Sequence, residues 1–181
     1  MTVEPVPTAA ALRIVAVNGS PSHPSRSRSL AELVLAELGG GDVVDLADLD
    51  PGALLALHPN AVVDAARDRV ADAHVLVVAT PVYRATYTAL TKTIFDLLPQ
   101  GALAGTVVVL IATGYVADHR LSIDHGLRPL VASLGGWTTP TGIYATKADI
   151  SDDGEVAAPL LAAISAAAAE ALAVARALAS A

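Results

Sequence analysis

Five serines crowd into ten residues: Ser20, Ser22, Ser25, Ser27 and Ser29, interleaved with His23, Arg26 and Arg28. Serine hydroxyls and the free N–H groups at a helix start can surround a phosphate, and Arg26 or Arg28 can add a charge-assisted bond. Gly19, just ahead of them, lets the backbone turn. The same residues also describe a solvated, serine-rich turn with an ordinary N-cap. The loop does not fit two better-known phosphate cradles. A dinucleotide fingerprint needs Gly-x-Gly-x-x-Gly and only Gly19 is present, and no Gly-Lys-Ser/Thr triplet of a Walker A loop occurs.

A second chemical segment runs from Thr80 through Pro81, Val82, Tyr83, Arg84, Ala85, Thr86 and Tyr87 to Lys92. Pro81 stiffens it, and it holds two of the chain's four tyrosines. Aromatic side chains and free backbone N–H groups after Pro81 suit the face and polar edge of a flat heteroaromatic ring. Tyr83 is the residue read as a ring contact, and Lys92 is read as a solvated helix charge. A third short stretch, Thr113-Gly114-Tyr115, has a glycine that permits close backbone approach to a ligand. A simple turn has the same composition.

These segments follow apolar runs, which explains how they are brought together. Residues 12–18, 42–46, 74–80, 106–112 and 141–145 read as strands. Helical spacing covers 28–38, 60–73, 88–98, 121–134 and 157–179, with Gly39-Gly40-Gly41 stopping the first and Asn60 capping the second. Residues 47–59, with Pro51, Gly52 and Pro59, read as a loop. Strand then helix, five times, predicts a parallel sheet covered on both faces, with ligands at the carboxyl ends of the strands. The three chemical segments follow the first, third and fourth strands, and that position favours phosphate for the serine loop. Residues 1–11 read as a leader before a single domain covering 1–181.

Composition removes several functions. The net charge of -7 disfavours a nucleic-acid partner, and the lack of cysteine excludes disulfides, thiolate catalysis and iron–sulfur clusters. If the protein moves electrons, an organic cofactor must carry them. No secretory signal is present at the N-terminus, which points to the cytoplasm. No membrane span is expected, the longest apolar run being around 106–112.

With these segments placed, the chain resembles the NADPH-dependent FMN reductase family, and within it the flavin reductases that serve two-component alkanesulfonate monooxygenases. The matches run in family order over about residues 12–145. They are Gly19-Ser20-Pro21 through Pro24-Ser25-Arg26-Ser27, then Ala79-Thr80-Pro81-Val82-Tyr83. Leu97-Leu98-Pro99, Ala112-Thr113-Gly114 and Asp124-His125-Gly126-Leu127-Arg128-Pro129 follow. The last helix carries no such motif.

The resemblance implies a flavodoxin-like three-layer sandwich on a five-stranded parallel sheet of order 2-1-3-4-5. It implies FMN with its phosphate on Ser20, Ser22, Ser25, Arg26 and Ser27. Pro81, Val82, Tyr83 and Arg84 would border the isoalloxazine, with Thr113 and Gly114 near it. The family forms homodimers and homotetramers, and in such reductases the helix holding His125 often carries an inserted residue and a π-helical turn, which places His125 near the flavin at the tetramer interface. A helix-surface histidine is the plainer alternative. Two departures stand out. Many relatives have arginine where this chain has Ser22, and some have a second glycine where it has Tyr115.

The implied reaction is hydride transfer from NADPH or NADH to FMN. It needs no side-chain general base, so no catalytic side chain is assigned. Arg84, and with it His119 or Arg120, would meet the dinucleotide phosphates. The leading expectation is that reduced FMN is released to a flavin-dependent monooxygenase. The alternatives are a tightly bound FMN that reduces a quinone, azo dye or metal ion, and a non-catalytic flavodoxin-like electron carrier. Arg26, Arg28 and Arg84 in the ligand loops argue against the acidic surroundings of such a carrier. A phosphoacceptor receiver domain is rejected, because Asn18-Gly19 and Thr80-Pro81 stand where it needs acidic residues.

Overall fold

The computed structural model describes residues 12–151 and 154–179. The leader expected at 1–11 lies outside the described residues. Three long strands form the centre of the sheet: β1 (Ile14–Asn18), β3 (Val75–Pro81) and β4 (Val107–Thr113). The edges are β2 (Asp42–Asp45) on one side, and β5 (Trp137–Thr138) and β6 (Ile143–Ala145) on the other. All pairings are parallel and the order is β2-β1-β3-β4-β5, with β6 also on β4. The flavodoxin-like order expected from the resemblance is thus observed.

The fifth position holds two short strands rather than one. Thr139 N–H still bonds Val108 O at 3.0 Å, but Pro140 has no N–H to continue the ladder. Pairing resumes at Ile143, so β6 starts two residues later than the expected 141–145.

Continuous apolar strands mean burial on both faces. Along β4, Val107, Val109 and Ile111 enter one core and Val108, Leu110 and Ala112 the other. The first core is closed by α1 (Arg26–Glu37) and α6 (Ala158–Ala179), which contribute Leu30, Val34, Leu160 and Ile164. The second is closed by α3 (Ala61–Ala71), α4 (Ala89–Asp96) and α5 (Arg128–Ser133), through Val63, Val70, Ile94, Phe95 and Val131.

The caps sit where the residue types require them. Asn60 Oδ1 accepts from Val62 N and Val63 N, and the Gly39-Gly40-Gly41 run takes positive φ after α1. The 47–59 segment is not simply a loop, because Pro51–Leu54 forms the short helix α2. Asp50 caps it by accepting from Ala53 N at 2.7 Å, and Pro51 suits a first helical position. The Asp-Pro pair carried that signal.

One expectation about apolar runs is corrected. The 22 residues of α6 are long and apolar enough, by length and composition, to cross a membrane, with mean hydropathy 1.8 over an 18-residue stretch of it. The alanines make the run apolar without a dense block of large side chains. In this fold Leu160, Ile164, Ala167, Ala168, Ala171 and Ala175 are buried against the sheet core.

Candidate functional site

Strand register levels the chemistry. Asn18 pairs with Ala79, Pro81 with Thr113, and Thr113 with Ala145, so the carboxyl ends of β1, β3, β4 and β6 form one rim. A cavity of about 240 Å³ opens there. Its walls include Ser20, Ser22, Ser25, Arg26 and Ser27 from the first loop. Pro81, Val82 and Tyr83 come from the second, and Thr113, Gly114 and Tyr115 from the third. Pro24, on a cis peptide after His23, completes the lining.

The serine loop is held from beneath by Asn18, which is fully buried. Its Nδ2 donates to both Asp45 carboxylate oxygens at 3.2 Å, and its Oδ1 accepts from Ser20 N at 3.3 Å. Ser25 is the N-cap of α1 and accepts from Arg28 N at 3.2 Å. Ser27 Oγ lies 2.8 Å from Thr113 Oγ1, which ties the first loop to the third. The Ser25 and Ser27 hydroxyls therefore already have protein partners. What they leave at the cavity is backbone: the N–H groups of Arg26 and Ser27, at the first two positions of α1, have no intrahelical acceptor. A helix start of this kind attracts an anion through those N–H groups and the helix dipole.

The two arginines divide. Arg28 bonds Asp45 through Nη1 at 2.7 Å and Glu32 through Nε at 3.0 Å, and those carboxylates push its pKa up. Arg28 is thus a support for Asp45 and Asn18. Arg26 is exposed, lines the cavity and has no side-chain partner among the described residues. It is the cation available to an anion.

Gly19 has a different task from the expected turn. A Cβ there would collide with Thr91 Oγ1, and Thr88 Oγ1 donates to Gly19 O at 2.6 Å. Glycine lets the first loop lie directly on a buried threonine network of Thr80, Thr88 and Thr91. Gly114 is similar, since a Cβ would strike the Tyr144 hydroxyl. That hydroxyl donates to Val116 O at 2.6 Å and holds the third loop. Burial, then the charge of Asp149, raises the Tyr144 pKa, so it remains a donor at neutral pH. Tyr144 was not singled out from the sequence, where it sat in a weak strand pattern.

In the second loop, Val82 N donates to Thr113 O at 2.7 Å. Tyr83 and Thr86 then bond each other, N–H to O at 2.9 and 3.3 Å, around a tight turn. Its central residues Arg84 and Ala85 have φ of 53° and 66°. Neither is glycine, so each carries left-handed strain of about 1–2 kcal/mol. Tyr83 is 48% exposed and lines the cavity, whereas Arg84 is exposed at the turn tip and does not line it. Lys92 pairs with Asp96, as a solvated helix charge should.

The segment expected as a helix over 121–134 contains a π-helical turn, Ile123–Leu127, running into α5. His125 lies on it, exposed and outside the cavity lining. Gly126 faces the second loop: a Cβ there would be 3.0 Å from Thr86 Oγ1 and 3.3 Å from Tyr87 Cδ1.

Residues 12–150 match the model of a family described as NADPH-dependent FMN reductase. An FMN reductase (NADPH) of Pseudomonas aeruginosa is 40% identical over 160 residues, covering 84% of this chain and 86% of that protein. The NADH-dependent FMN reductase SfnF of Pseudomonas fluorescens is 39% identical over 161 residues, with shares of 84% and 86%. The apo structure of an NADH:FMN oxidoreductase (EMOB) superposes with a TM-score of 0.79 at 38% identity, covering 90% of this chain and 89% of that one.

Proposed function

The chain belongs to the NADPH-dependent FMN reductase family, and on that premise we propose that it takes FMN as a substrate, reduces it with a nicotinamide hydride and releases it to a flavin-dependent monooxygenase. The observation that carries this reading is the convergence of a helix N-terminus, the exposed Arg26 and the aromatic Tyr83 on one open cavity. The residues present fit FMN: an anion cradle lies at one end and a tyrosine-walled, solvent-open slot at the other. A name such as SfnF is carried by an FMN reductase that uses NADH, and another relative uses NADPH, so both dinucleotides are tested.

Bound FMN supplies the acceptor for two electrons and a proton, leaving oxidised nicotinamide. The chain's part is binding and orientation. Arg26 and the N–H groups of Arg26 and Ser27 hold the phosphate, with Ser20 and Ser22 at its edge. Pro81, Val82 and Tyr83 would border the ring, with Thr113 and Gly114 beside them on the neighbouring strand end. Arg84, His119 or Arg120 meets the dinucleotide phosphates. Tyr115, 82% exposed at the cavity mouth, and the exposed Val116 and Leu121 form an apolar rim beside the turn bearing His125. That rim fits a second copy of the chain, as a homodimer or homotetramer.

The test is NADPH or NADH oxidation by desalted protein as free FMN is added in steps. A rate near zero without FMN that rises and saturates supports the substrate reading. A protein that stays yellow and ignores added FMN overturns it in favour of a resident flavin serving another acceptor.

A further inference from the structure

The π-helical turn has a cause in the chain, and that cause points to two positioning residues. An α-helix continuing through 121–133 would need Pro129 N–H to bond His125 O. Pro129 has no N–H, and its ring crowds the carbonyl four residues before it. The helix widens instead, and Arg128 N–H bonds Ile123 O, five residues back. The Arg128 side chain then fixes the widened turn. Its Nε donates to Asp124 Oδ1 at 2.7 Å, inside the turn. Its Nη1 donates to Thr138 Oγ1 and Thr139 O, and its Nη2 to Pro140 O, each at 2.7 Å. One guanidinium thus bolts the turn to the β5–β6 connection.

The turn reaches the site through Gly126, which lies against Thr86 and Tyr87. Thr86 closes the strained Tyr83-Arg84-Ala85-Thr86 turn, Tyr87 follows it in the chain, and Tyr83 lines the cavity. A non-glycine turn with two left-handed residues persists only where its surroundings over-determine it. Gly126 supplies one such constraint. We propose that Arg128 and Pro129 are positioning residues: together they build the π-helical turn, which presses on the Thr86–Tyr87 wall and sets Tyr83 for the flavin ring. This rests on the cavity being the flavin site.

The β5–β6 connection offers its own control. From its other side, Glu170 of α6 accepts from Thr141 N at 2.9 Å and Thr141 Oγ1 at 2.6 Å. Glu170→Gln loosens the same connection without touching the π-helical turn. The experiment measures FMN affinity by quenching of flavin fluorescence, melting temperature, and KM and kcat for FMN, in four proteins: wild type, Arg128→Met, Pro129→Ala and Glu170→Gln.

Arg128→Met and Pro129→Ala are expected to weaken FMN affinity and raise its KM by about tenfold, with kcat less affected. Pro129→Ala restores the α-helical donor, so it does this without a loss in melting temperature. Glu170→Gln leaves FMN affinity at the wild-type value. Equal weakening in Arg128→Met and Glu170→Gln, or wild-type affinity in Pro129→Ala, overturns the proposal. If Arg128→Met does not fold, Pro129→Ala decides alone. A wild-type chain that does not quench FMN overturns the site reading itself, and the positioning role with it.

Discussion

At the serine-loop end of the cavity, where the phosphate is proposed to sit, many positioning contacts stay within a few residues of chain. Ser25 caps Arg28 N, Ser20 accepts from Ser22 N, and Asn18 accepts from Ser20 N. At the aromatic end they come from far away. Val82 leans on Thr113, Gly126 packs on Thr86 and Tyr87, and Tyr144 holds the carbonyl of Val116. A locally built cradle tolerates remote changes, whereas a wall assembled from distant elements fails when any of them shifts. The two ends meet at the Ser27–Thr113 hydroxyl pair and at Gly19, which rests on the threonines under the second loop.

The largest effect is expected where the ends join. Gly19→Ala drives a methyl into Thr91 within a fully packed network. We expect a loss of about 3 kcal/mol and a fall in melting temperature of roughly 6–12 °C. An unchanged thermal transition would mean that the threonine layer gives way and that the two ends are not coupled there.

Arg26→Ala tests the local end alone. Arg26 is exposed and without a side-chain partner among the described residues, so stability should hold while a charge-assisted bond worth about 1.5–3 kcal/mol is lost on binding FMN, a weakening of tenfold or more. Flavin fluorescence titration reads this directly. Equal FMN affinity in the variant and the parent would move the phosphate away from this arginine.

Tyr144→Phe probes the aromatic end more gently. It removes one hydrogen bond, to Val116 O, of about 1 kcal/mol, which a thermal melt reads as a drop of roughly 2–4 °C. No drop would show that Val116 is held by other means. The smallest effect is Lys92→Ala, because the Lys92–Asp96 pair is solvent-exposed and such pairs contribute about 0–1 kcal/mol. A large loss there would revise the view of Lys92 as a surface charge.

The same contrast explains what could be read from the sequence. Strand order came from the family resemblance, whereas the parallel sheet covered on both faces followed from apolar runs and helix spacing. The serine loop followed from its residue types and its place after the first strand, and all of these are local patterns. Asn60 and the three glycines after α1 were legible for that reason. What escaped is non-local. Nothing near Gly19 announces Thr91, nothing near Gly114 announces Tyr144, and Arg28 looks as free as Arg26 until β2 brings Asp45 beside it. The π-helical turn is an intermediate case. The family resemblance suggested it, and Pro129 was in view, but the bond from Arg128 N to Ile123 O needed the structure.

The most direct test of the account is to compare FMN with riboflavin as acceptor for NADPH or NADH oxidation by the desalted protein. The two differ only in the phosphate, which the account places on the start of α1 and Arg26. It predicts a KM for FMN about tenfold or more below that for riboflavin, with the gap closing in Arg26→Ala. Equal use of both flavins by the wild-type chain would contradict a phosphate cradle at this site.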